Sequence, residues 1–149
     1  MNNSDNTNAT LEVDELLGAL DDNTNHSILS MTDEKIEDIK RNILEEIGVS
    51  QSQKELILDK LKGYMYVNEL PDLREGFYVR WISLKNPDKI HLTRGAYISE
   101  INITKKGTTV VMKNMMNIYM QIPLDEALVF RKLNNEERLL LSAMNYLNT

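Results

Sequence analysis

Residues 76–133 constrain this chain more than any other stretch. Within them, five runs rich in β-branched and aromatic residues cover 78–84, 96–103, 108–113, 118–122 and 127–132. Such residues fit a pleated, half-buried surface. Between the runs lie Asn86-Pro87-Asp88, Leu92-Thr93-Arg94-Gly95, Lys105-Lys106-Gly107, and a break at Pro123 and Asp125. These carry turn chemistry: proline presets φ, and glycine reaches positive φ without strain. Short strands at short spacing predict a closed or nearly closed antiparallel barrel.

Helical patterns flank that unit. Residues 32–47 place Ile36, Ile39, Ile43, Leu44 and Ile47 on one stripe, with Thr32 as N-cap and Gly48 as the stop. Ser52-Gln53-Lys54-Glu55 reads as a capping box for a second helix that ends near Gly63. The short loop between them predicts a helical hairpin. Residues 64–67 are a short β-prone piece. Asn134 or Asn135 is expected to cap a last helix over 136–147. The expected fold class is α+β: a small five-stranded antiparallel SH3-like or Tudor-like β-barrel with an N-terminal helical hairpin and a C-terminal helix. An oligonucleotide-binding (OB-like) barrel is the alternative topology. Four segments follow: an acidic disordered tail over 1–30, the hairpin and connector over 31–75, the barrel over 76–133, and the helix over 134–149.

Charge is distributed unevenly along these segments. Residues 1–30 hold six acidic and no basic side chains, and residues 31–75 hold eleven acidic against seven basic. Residues 76–133 reverse the balance, with nine basic against four acidic, so the barrel segment is the basic part of a chain of net charge −6. In the tail, Val13, Leu16, Leu17 and Leu20 fall on one helical stripe beside Glu12, Asp14 and Glu15. That stripe is a candidate docking motif, although a helix so short is marginal alone in water.

Several chemistries are excluded. The chain has no cysteine, so disulfides, thiolate catalysis and cysteine metal sites are absent, and a reducing compartment is expected. Only His26 and His91 are available, which cannot assemble a histidine–cysteine zinc site. Asp21, Asn23 and Asn25 open like a calcium loop, but His26 stands where glycine is needed and Thr32 where the bidentate glutamate is needed. No phosphate loop, no membrane span and no signal peptide are read. The expectation is therefore no enzyme, no catalytic residue, no metal, no cofactor, no membrane contact and no small-molecule substrate.

Two binding readings remain. A nucleic-acid or ligand face would use Arg80, Arg94, Lys105 and Lys106 for phosphates, with Tyr78, Trp81, Tyr97 and Tyr119 as stacking platforms. Those aromatics, with Tyr66, could alternatively cage a methylated cation. A protein-contact surface would use Leu16, Leu17 and Leu20 in the tail, and Met115 and Met116 between the third and fourth runs. Methionine makes adaptable contact surfaces, and an exposed barrel edge would serve self-association.

The segments Gly63-Tyr64, Glu69-Leu70-Pro71-Asp72-Leu73, Gly76-Phe77-Tyr78-Val79-Arg80-Trp81-Ile82, Leu92-Thr93-Arg94-Gly95 and Phe130-Arg131-Lys132 together resemble small proteins of giant nucleocytoplasmic DNA viruses, those of Marseillevirus type in particular. The resemblance covers about half the chain and carries no catalytic motif. It implies a viral origin and a place in the virion or in the cytoplasmic viral factory of the infected cell, with the nucleus as the alternative and no secretion. Combined with the residues, it yields the expected function: a non-enzymatic interaction or virion-associated protein, whose partner is another protein or a second copy. Nucleic-acid binding by the basic barrel face is the alternative.

Overall fold

The computed structural model describes residues 13–15, 17, 18 and 26–147. The chain divides into two compact units, one of Met1–Ile36 with Leu133–Thr149 and one of Glu37–Lys132.

The larger unit is built on one six-stranded antiparallel sheet. Its strands are β1 (Tyr64–Tyr66), β2 (Tyr78–Ser83), β3 (Ala96–Thr104), β4 (Gly107–Lys113), β5 (Tyr119–Pro123) and β6 (Ala127–Lys132), in the order β1-β6-β2-β3-β4-β5. This corrects the expected five-stranded closed barrel, whether SH3-like, Tudor-like or OB-like. The α+β class stands, but the sheet is open, with β1 and β5 as its edges. Two features overturn closure. The β-prone piece at 64–67 is a sixth strand that adds outside β6, and β5 pairs with β4 alone before Pro123 ends it. Strand spacing predicts the number of strands. Closure depends on which edges meet, and spacing does not encode that.

Alternation along the strands assigns the two faces. On β2 and β6, Ile82, Leu128 and Phe130 share one core cluster with Tyr64, and with Leu44, Ile57, Leu58 and Leu61 of the helices α2 (Asp33–Glu46) and α3 (Gln51–Lys60). The intervening residues Val79, Trp81 and Val129 join Ala96, Ile98, Val110 and Met112 in a second cluster on the opposite face. Period-two alternation with both sets apolar is what a sheet covered on both sides requires. Each fully buried Phe or Leu side chain contributes roughly 1.5–3 kcal/mol.

One buried cation is aimed at the end of α3. Buried Lys40 donates to the Leu61 carbonyl at 2.9 Å and pairs with Glu37 at 2.6 Å. A positive charge at the C-terminal carbonyls complements the helix dipole. The cap at the start of α3 is Ser50, which accepts from the Gln53 amide, rather than the expected Ser52. Burial raises the Tyr64 and Tyr66 hydroxyls above the ordinary tyrosine value.

In the smaller unit, α1 (His26–Leu29) packs with α4 (Asn135–Leu147). Ile28 of α1, within the stretch expected as tail, is fully buried. Asn134 and Glu137 form a reciprocal capping box at 2.8 and 3.1 Å, confirming Asn134 as the cap of α4. The Asn145 side chain donates to the Asp33 carboxylate at 2.6 Å and accepts from its amide at 3.1 Å, satisfying an N-terminal donor of α2.

Candidate functional site: an apolar cavity beside a methionine loop

The site lies in the sheet unit, between the segment that enters β3 and the loop that joins β4 to β5. Its volume is 460 Å³, within the range of pockets that hold small ligands or large side chains. Tyr78 and Trp81 of β2, residues Thr93, Arg94 and Gly95, the loop residues Asn114, Met115 and Met116, and Met120 of β5 line it. Arg94 is the one charged residue among these nine.

Each wall has a local cause. Gly95 has φ +108°, and a Cβ there would fall 2.7 Å from the Tyr78 ring. Only glycine combines that conformation with that contact. The Tyr78 hydroxyl in turn donates to the Arg94 carbonyl at 2.9 Å, locking the ring over the segment. Thr93 serves β2 from the same segment: its hydroxyl accepts from the Trp81 amide at 3.1 Å. Trp81, the chain's single tryptophan, is 6% exposed and packs in the second core cluster.

The opposite wall is organised by one side chain. Asn114 Oδ1 accepts from the Met116 amide at 2.9 Å and the Ile118 amide at 3.0 Å. Its own amide donates to the Ile118 carbonyl, and Asn117 turns the chain with φ +61°. Asparagine tolerates that left-handed conformation and mimics a backbone turn with its side chain. A turn held this tightly leaves Met115 and Met116 77% and 78% exposed while they line the cavity. Exposed Ile118 and Tyr119 follow directly.

The expected nucleic-acid face does not assemble as one surface. Arg80 donates from Nε to the Thr93 carbonyl at 2.8 Å and from Nη1 to the Lys60 carbonyl at 3.2 Å, so its guanidinium ties β2 to the end of α3. Lys105 and Lys106 occupy the β3–β4 turn, at the far end of seven-residue β4 from the cavity. That separation is about 20 Å at the rise of a β-strand. Of the eight residues, Tyr78, Trp81 and Arg94 meet at the cavity. Tyr97 packs edge-on against Tyr78 at 4.9 Å, and Tyr119 lies under the Lys113 ammonium at 5.7 Å. Tyr66 packs against Phe130 and lines a different cavity of 340 Å³ with Glu69 and Asp125, so it does not join a cage with Trp81.

Of the expected protein contacts, Met115 and Met116 are at the site. Leu17 is exposed, and Leu16 and Leu20 lie outside the described residues. Sequence reading gave no site role to Thr93, Gly95, Asn114 or Met120. The signal for Asn114 was present, because an Asn directly before a short apolar loop is a turn-forming acceptor for the amide two residues on. Among the described residues, no group of three or more His, Cys, Asp or Glu could hold a metal, and no helix is long and apolar enough to cross a membrane.

Comparison with family models, with curated proteins and with solved structures finds no match to this chain.

Proposed function

We propose that this protein is a non-enzymatic interaction module that receives an apolar side chain of a protein partner in the cavity beside Met115 and Met116. The observation that carries the reading is the exposure of those two methionines on the wall of an apolar cavity with a single charge. Large apolar residues exposed together, rather than singly, mark contact sites. Methionine adapts its shape to what it contacts, as an interaction surface requires. Virion association is the setting that the resemblance to giant-virus proteins suggests for this partner. Nucleic-acid binding is the weaker reading, because Arg80 is engaged by carbonyls and the two lysines lie at the other end of β4.

The test is selection of a displayed peptide library against the full chain, with counter-selection against Met115→Ser/Met116→Ser. The expected result is enrichment of peptides with a bulky apolar residue, whose binding alters Trp81 emission. Fluorescence polarisation with single- and double-stranded oligonucleotides at two salt concentrations runs beside it. Peptides indifferent to the methionines, or salt-sensitive oligonucleotide binding in their place, would overturn the reading.

A further inference from the structure

The free edge of β5 carries a second inference, which does not depend on what the cavity holds. Strand β5 pairs with β4 in the register Val110↔Ile122, Val111↔Gln121, Met112↔Met120 and Lys113↔Tyr119. The Asn114 amide donates to the Ile118 carbonyl, so that pair is a hydrogen-bonded position of the ladder. Hydrogen-bonded pairs alternate along antiparallel strands. Met120 and Ile122 therefore bond to β4, while the N–H and C=O groups of Tyr119 and Gln121 point away from it along the open edge. Pro123 has no N–H and closes the edge at one end, and the Asn117 turn closes it at the other.

Natural edges are guarded by charge, bulges or proline within the strand. Apart from Pro123 at its last position, this one has neither charge nor bulge: Tyr119-Met120-Gln121-Ile122 has no charged side chain, and its register with β4 runs without a shift. We infer that a second copy of this chain pairs antiparallel along β5, about a two-fold axis at Met120. In that register Tyr119 lies opposite Gln121 of the second copy, and Gln121 opposite its Tyr119. The four outward N–H groups then meet the four outward carbonyls in complete self-complementarity, as a two-fold interface demands. A neutral strand opposes its own copy without repulsion. Exposed Ile118 and Tyr119 beside the edge add apolar area that two short strands lack.

Sedimentation velocity of the full chain over a wide concentration series tests this inference. The expected result is a monomer–dimer equilibrium that Gln121→Pro abolishes and Gln121→Thr retains. Proline at 121 removes an outward N–H and leaves the bonds of Met120 and Ile122 to β4 in place. Amide hydrogen exchange serves as a second readout that needs no variant: Tyr119 and Gln121 should exchange more slowly at high than at low protein concentration. A wild-type chain monomeric throughout the series, or a dimer whose Tyr119 and Gln121 amides show no concentration-dependent protection, would overturn the inference.

Discussion

The two loops at the ends of β4 answer the same geometric problem with opposite chemistry. The β3–β4 turn reverses the chain at Lys105 and Lys106, and Thr104 holds it by donating to the Gly107 carbonyl at 3.0 Å and accepting from the Lys106 amide at 3.2 Å. The exposed side chains there are polar or charged apart from Ile103, and Gly107 has none. The β4–β5 loop is held just as firmly by Asn114, yet presents Met115, Met116 and Ile118 to solvent. A hairpin needs no apolar tip, and hydration favours a charged one. Under the proposed function, the difference singles out the methionine turn: charge at a turn follows from solvation alone, whereas apolar residues exposed on a rigid turn beside a cavity are what a partner would cover.

Substitutions around this pair of loops give a graded set of outcomes. The largest effect is expected at Gly95, on the wall facing the methionine loop. Gly95→Ala combines a positive-φ strain with a clash against Tyr78 and should cost about 2–3 kcal/mol, read as a lowered denaturation midpoint. Next is Asn114→Ala, which leaves two loop amides without their acceptor and should cost about 1–2 kcal/mol in the same assay. It should also weaken any selected peptide, because the loop loses its shape. Thr104→Val is its counterpart at the lysine turn. It should cost at most about 1 kcal/mol and leave peptide binding unchanged. A peptide that loses affinity in Thr104→Val and not in Asn114→Ala would invert the comparison. Smallest in stability are the surface pairs: Met115→Ser/Met116→Ser and Lys105→Ser/Lys106→Ser should each stay within about 0.5 kcal/mol of wild type. Peptide affinity then separates them, falling about tenfold or more in the methionine pair, equivalent to about 1.4 kcal/mol, and holding in the lysine pair.

Much of the fold was legible because its causes are local. Ile36, Leu44 and their stripe marked α2, and the β-branched and aromatic run over 78–84 marked β2. Turn residues placed five of the six strands within two residues. What escaped depended on contacts between distant positions. Ser50 and Ser52 are equally plausible caps until the chain direction at the helix start is known. Arg80 looked available because the sequence does not reveal the Thr93 and Lys60 carbonyls that engage it. Gly95 read as an ordinary turn glycine, and its contact with a ring 17 positions earlier appears only in the folded chain. Closure was misjudged for the same reason, since the pairing of β1 with β6 joins residues more than sixty positions apart. The methionine pair was legible because two large apolar residues in a turn conflict with local solvation, and that conflict needs no tertiary information.

The central claim, that the methionine loop and its cavity form an apolar contact site, is tested most directly through Trp81. An anionic naphthalene-sulfonate dye combines an apolar ring with a charge that Arg94 complements, and it accepts excitation energy from tryptophan. The account predicts dye emission on excitation of Trp81 in the native protein, lost in Met115→Ser/Met116→Ser and retained in Lys105→Ser/Lys106→Ser. Dye emission that survives the methionine substitutions, or that disappears with the lysines, would contradict it.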